Sequence, residues 1–341
     1  LTAMYEATRP ALGEAGDARL KAALIKVARA RAPFRYATLD DNGNRAMRAE
    51  TIVGWRDPDH YPGDITYTQR PTWDGSSLGS TAATLDPMLL GGVQEMFADN
   101  QFFASVQRQL KITSLRGTAG LLSTPDEYEL IKAQPASEQK LPMSAGQPDF
   151  VFADEEDGVL ALKHGADVLY VSLYWRARPA INFLARVHYI QPAFDRIAVV
   201  REETQFTPSG QTYTRPDHIN MGFAGGGVPY PGNLHSAEAG EKLPIARVPE
   251  GVAFKPGDEN AYAGRGDFYK LRYGPYLIGM NMSRDQTFDL EIPRTEGEVS
   301  AILPKEAQVS AGSTQKVGPR STVVIYFQPP RSAAPAASHV P

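Results

Sequence analysis

FVFADEEDGVLALKHGADVLYVSLYWRARPAINFLARVHYIQPAFDRIAVVREE, residues 150–203, carries the strongest structural signal in the chain. Its apolar residues recur with a period of two in the runs FVFAD, GVLALKH, DVLYVSLYWRA, INFLARVHYI and RIAVVREE. The breaks between runs are Glu156-Asp157-Gly158, His164-Gly165-Ala166-Asp167 and Pro192-Ala193-Phe194-Asp195. Alternation of this kind marks strands, and short clusters of Gly, Pro and Asp mark tight turns. The pattern predicts an antiparallel meander. Downstream, DFYKLRYG, YLIGMNMS, TFDLEIP, EVSAILP and STVVIYF continue it, whereas residues 205–265 are rich in Gly and Pro and predict a long excursion over the sheet surface.

Upstream the period changes to that of a helix. Residues 16–32 place Leu20, Ala23, Leu24, Val27 and Ala28 on one stripe, closed by Pro33. Asp86-Pro87 reads as an N-cap followed by proline at the first helical position, and Leu89, Leu90, Val93, Met96 and Phe97 make the stripe behind it. QFFASVQRQLKI, from Gln101, predicts the next helix. Between them AMRAETIVGWR (46–56) reads as a strand and residues 57–80 as a long polar and aromatic loop. Helices come first and strands afterwards, without alternation, so the expected fold class is α+β. The expected domains are a helical segment with its long loop over 1–145, an antiparallel β-sandwich over 146–328 and a disordered Pro/Ala-rich tail over 329–341.

Composition narrows the function classes. With 42% apolar residues among 341, most of the chain can bury a core. The 35 Lys and Arg against 39 Asp and Glu leave a net charge of -4, and hence no overall cationic field to hold nucleic acid or an anionic membrane. No apolar run is long enough to span a bilayer. The absence of Cys excludes disulfides, thiolate zinc sites and cysteine nucleophiles. Thirty Gly, 27 Pro and 15 Tyr lean toward a secreted or periplasmic, β-rich, carbohydrate-active protein. Because the chain starts Leu1-Thr2-Ala3-Met4, it is expected to be a processed or truncated piece whose N-terminal part is missing.

Three segments gather chemistry-bearing residues. In a strand, Ser172, Tyr174, Arg176 and Arg178 share one face, and Asn182, Arg186 and His188 share the matching face of the next. Pairing through a short turn at Pro179 would merge them into one polar patch. Such a patch suits an anionic ligand, with guanidinium forks for carboxylate and His and Tyr for proton transfer near neutral pH. The competing reading is a solvated outer sheet face. The long loop holds His60, Tyr61, Trp73 and Asp74, flat aromatic faces and hydroxyl acceptors suited to lining a glycan cleft, or else aromatics that merely tether the loop. The excursion carries His218 and His235 with Glu238 and Glu241, a spacing that matches no compact zinc motif, so no metal is expected and His235 is read as a helix cap or cleft residue. No cofactor motif is present. Asp40 to Asn44 begins like a calcium loop, but Thr51 stands where the bidentate glutamate belongs, so a turn between strands is expected.

The stretches HYPGDITY, FVFADEEDGVLALKHGADVLYVSLYWRAR, YLIGMNMSRDQTFDLEIP and STVVIYF resemble the C-terminal portion of bacterial polysaccharide lyases of the heparinase II/III, alginate and chondroitin lyase grouping. In that grouping an (α/α) toroid precedes antiparallel β-sheet domains. The resemblance implies that the helical segment is the end of such a toroid. It also implies an enzyme that cleaves uronic-acid polysaccharides by β-elimination, with an acidic polysaccharide as partner. In those roles His188 or His60 would be the base, Tyr174 or Tyr61 the acid, and Arg176, Arg186 and Asn182 the carboxylate site. A non-catalytic carbohydrate-binding or structural sandwich module, and a glycoside hydrolase, remain the alternatives.

Overall fold

The computed structural model describes residues 1–39, 45–50, 76–98, 102–103, 106–107, 111, 122–174, 179–214, 218–219, 234–235, 240–257, 260–295 and 297–328. The described helices are α1 (Thr2–Glu6), α2 (Ala18–Ala30), α3 (Ser76–Thr84), α4 (Pro87–Phe97) and α5 (Thr124–Lys132). The strands begin with β1 (Arg35–Leu39), β2 (Arg45–Ala49), β3 (Phe150–Asp154), β4 (Val159–His164), β5 (Asp167–Ser172), β6 (Leu184–Gln191) and β7 (Phe194–Arg201). They continue with β8 (Glu203–Gln205), β9 (Pro208–Thr214), β10 (His218–Ile219), β11 (Leu234–His235), β12 (Lys242–Ala246) and β13 (Phe268–Tyr273). The last are β14 (Tyr276–Asn281), β15 (Phe288–Glu291), β16 (Val299–Leu303), β17 (Thr314–Val317) and β18 (Ser321–Phe327). A few helices precede mostly antiparallel sheets, an α+β architecture.

The chain divides into two compact units, residues 1–51, 67–152 and 161–168 in one, and 52–66, 153–160 and 169–341 in the other. In the first unit, α2 and α4 form where capping and apolar spacing place them. The Asp17 carboxylate accepts from the N–H groups of Arg19 and Leu20, and that of Asp86 from Leu89. Asp86 also takes a two-point ion pair from Arg29, at 3.1 and 2.6 Å, so the last turn of α2 is tied to the first of α4. Leu78, Ala82, Val93, Met96, Ile131 and Leu141 form the core. Gly91 has a packing reason, since a Cβ there would run into the Gln139 carbonyl oxygen. Val27, expected on the buried stripe of α2, is 47% exposed.

Helix α3 begins inside the segment expected to be loop. Its Ser, Gly and Thr are poor helix formers, and burial of Leu78 and Ala82 outweighs that preference. β2 pairs antiparallel with β1 as a turn at 40–44 requires, although residues 40–44 lie outside the described ones, as do the end of the expected strand (51–56), most of the helix expected after Gln101 and the tail.

The meander is present: β3, β4, β5, β6 and β7 lie in sequence order in one sheet, and β6 and β7 pair antiparallel across the two-residue turn Pro192-Ala193. The expected wet face is not. β4 is buried along Val159 to Lys163, β5 along Leu169 to Ser172, and β6 along Ala185 to Tyr189. Most polar side chains in central strands covered on both faces find partners inside. Lys163 illustrates this, donating to the Ser144 and Gln147 carbonyls at 2.6 and 2.8 Å while burial pushes its ammonium pKa down.

In the second unit, β16, β18, β14, β13 and β8 make a second five-stranded sheet. One face packs Phe268, Leu277, Val323 and Ile325 against Leu290 and Val317 of the β15–β17 pair. The expected featureless excursion contains an antiparallel β9–β12 ribbon, held by Leu243 and Ile245 against Ala180 and Ala263.

Candidate functional site

The second unit contains a cleft of about 730 Å³ whose wall brings Arg247, Arg265, Arg284 and Arg320 together with Tyr174 and Tyr262. Three carboxylates, Glu156, Asp267 and Asp285, share the lining. The first unit has an apolar cavity of about 250 Å³ lined by Leu24, Val27, Leu89, Val93 and Met96, but it gathers no comparable set of facing charges. The second-unit cleft is therefore the stronger functional candidate.

The loop that carries Ser283, Arg284 and Asp285 into the lining is held by buried amide chemistry. Asn281, fully buried at the end of β14, donates to the carbonyls of Gln286, Val317 and Gly318 and accepts from the Ser283 N–H at 2.9 Å. The Ser283 hydroxyl in turn accepts from Gln286. These bonds close the loop that presents Arg284 and Asp285 and tie it to the turn before β18. Arg320 sits in that turn with φ near +50°, an uncommon conformation for a non-glycine, and its N–H donates to the Ser283 carbonyl.

Glu156 organises two of the arginines. One carboxylate oxygen faces Arg265 at 3.2 Å and the other Arg320 at 2.8 Å. Arg265 is further held by the Met282 carbonyl, and Arg320 by that of Glu155. Arg247 and Arg284 are exposed and make no ion pair among the described residues. Asp267 is half-buried, and burial pushes its carboxyl above the ordinary range; the Thr207 N–H and Arg265 oppose that, while Asp285 adds to it. Tyr262 is 44% exposed, and its N–H donates to the Asn260 side chain, which steadies the turn that presents the ring.

Of the residues nominated from sequence, Tyr174 reaches this cleft, though not from an exposed strand face. β5 ends at Ser172, and Tyr174 lies beyond it, buried, with its hydroxyl donating to the Ala261 carbonyl at 2.6 Å. β6 begins at Leu184, and residues 175–178, on which the expected turn before Pro179 depends, lie outside the described residues. His188, Arg186 and Asn182 are 0%, 6% and 7% exposed and do not line the cleft, so the merged surface patch expected of them is corrected to sheet interior. His188 Nε2 lies 2.6 Å from an Asp195 carboxylate oxygen. Arg176, Arg178, His60, Tyr61, Trp73 and Asp74 lie outside the described residues. Of His235 only the backbone is described, opposite His218 in the β10–β11 pair. Among the described residues no three His, Asp or Glu side chains converge as a metal site requires, and no helix is long and apolar enough to cross a membrane.

Sequence reasoning missed Arg247, Arg265, Arg284 and Arg320. They come from four separate segments with no shared spacing, and only the pairing of β13, β14 and β18 brings three of those segments together. Comparison with protein families, curated proteins and solved structures gives no match to this chain.

Proposed function

We propose that the second-unit cleft binds an acidic polysaccharide, and that the chain is a polysaccharide lyase, or the C-terminal portion of one, acting by β-elimination on uronic-acid polymers. The observation that carries this reading is the cleft itself: four arginines, two of them without an ion pair among the described residues, beside an exposed tyrosine face. Guanidinium groups neutralise a uronate carboxylate, which makes the C5 proton more acidic. Its removal, with loss of the C4 oxygen, leaves a C4–C5 double bond. Tyr262 offers an apolar face to a sugar ring, and Tyr174 is the cleft residue nominated as acid. In this reading the two five-stranded sheets belong to an antiparallel sandwich, the helical unit is the end of a toroid, and the protein acts outside the cytoplasm.

A second reading, a non-catalytic binding module, is favoured by two observations. His188 is fully buried against Asp195 and the Tyr174 hydroxyl is committed to a backbone carbonyl, so neither is presented free to a substrate. Incubation with alginate, glucuronan and unsulfated chondroitin separates the readings. The lyase develops the ultraviolet absorbance of an unsaturated uronate, and Tyr174→Phe lowers that rate by about two orders of magnitude, the usual size of a lost proton-transfer group. Retention without absorbance supports the module, new reducing ends without a double bond indicate a hydrolase, and no retention on any uronan rejects both proposed readings.

A further inference from the structure

We infer that the cleft selects carboxylated, unsulfated polysaccharide over sulfated polysaccharide. This rests on the acidic-polysaccharide reading above and deepens it. The first support is charge. Four arginines line the cleft, but three carboxylates line it with them, so the site is only weakly cationic. A chain with one carboxylate per uronate finds its match there. A sulfated chain brings further negative charges onto Glu156, Asp267 and Asp285, and like charges at close range oppose binding.

The second support is how the arginines are occupied. Arg265 and Arg320 already share one planar carboxylate, one oxygen each, supplied by Glu156. That internal bridge takes the two less exposed guanidinium groups out of the pool for ligand. Arg247 and Arg284 remain, both exposed and without an ion pair among the described residues. Two exposed forks suffice for one carboxylate and are too few for a ligand that carries several anionic groups in each repeat.

The third support is what the acidic residues can do with a neutral sugar surface. Asp267 and Asp285 line the same cleft. Carboxylates accept hydrogen bonds from sugar hydroxyls. Sulfation of those hydroxyls removes the donors and sets an anion against an anion. The same aspartates thus favour the unsulfated chain and oppose the sulfated one.

The test compares unsulfated chondroitin with chondroitin sulfate, which share a backbone, by affinity measured at one ionic strength. The expected result is at least about tenfold tighter binding of the unsulfated chain, about tenfold weaker binding of that chain by Arg247→Ala and by Arg284→Ala, and a several-fold gain for the sulfated chain in Asp285→Asn. All three positions are exposed, so the variants are expected to fold. Equal or tighter binding of the sulfated chain overturns the selectivity and leaves the acidic-polysaccharide reading standing. An unsulfated-chain affinity indifferent to both arginine substitutions overturns the assignment of the site. Failure to bind either chain overturns the functional reading along with it.

Discussion

Gly158→Ala is expected to destabilise the protein by about 3 kcal/mol, the sum of left-handed backbone strain and overpacking. Gly158 closes the turn before β4 with φ near +65°, and its carbonyl accepts the Leu173 N–H at 2.8 Å. An added Cβ would stand 2.5 Å from the Tyr174 Cβ and 3.0 Å from the Tyr174 nitrogen. The space cannot be recovered by turning a flexible side chain, because the obstacle is the root of a buried residue. Either the turn or the segment after β5 has to move, and each movement reaches the cleft. The turn carries Glu156, which holds Arg265 and Arg320, and the segment carries Tyr174. Denaturant unfolding measures the loss, which is large against a typical domain stability of about 5–15 kcal/mol. If the cleft binds a uronan as proposed, affinity for it falls in the same variant. An unfolding midpoint equal to that of the parent would show that the turn does not approach Tyr174 as described.

Glu202→Gln is expected to act in the opposite direction, and only as pH rises. Glu202 is 7% exposed, neither carboxylate oxygen has a hydrogen-bond partner among the described residues, and burial pushes its pKa well above the ordinary range. Tyr269, fully buried nearby, is pushed up as well, by burial first and by Glu202 second. A carboxyl raised in the folded state holds its proton more tightly than the same group in the unfolded chain. Its contribution to stability is therefore complete below the ordinary glutamate value and is lost as pH rises through the folded value. Glutamine keeps the shape and cannot ionise. Parent and variant should have similar unfolding free energies near pH 4. By pH 8 the variant should be more stable by about 3 kcal/mol, the scale of one uncompensated buried charge. Unfolding curves at a series of pH values test this, and a gap that stays constant from acid to alkaline pH would disprove it.

The two outcomes differ in how visible their residues are in sequence. Gly158 belongs to Glu156-Asp157-Gly158, a turn legible between two runs of alternating residues, so its left-handed conformation follows from local chemistry. Glu202 is the penultimate residue of the run RIAVVREE, and nothing local marks it as buried. The same division holds elsewhere. Asp86-Pro87 announces α4 and the structure has it. Helices α3 and α5 and strand β17 lack comparable periodic signals and form because Leu78, Ile131 and Val317 are each fully buried in a core.

The candidate site was least legible of all. Parity along β6 correctly puts Arg186 and His188 on one face, but parity says nothing about whether a second layer covers that face. It is covered, so Arg186 and His188 lie in the interior. The arginines that do meet at a cleft stand at positions 247, 265, 284 and 320, each unremarkable in its own segment.

Element type and order, the helical beginning and the meander of strands, were present in the sequence alone, because periods of 3.6 and 2 and the chemistry of turns are properties of a few neighbouring residues. Which faces are dry, which carboxyl is stranded and which charges converge were decided only by tertiary structure. Burial and electrostatic proximity depend on segments that are distant in the chain and adjacent in space, and no local pattern encodes them.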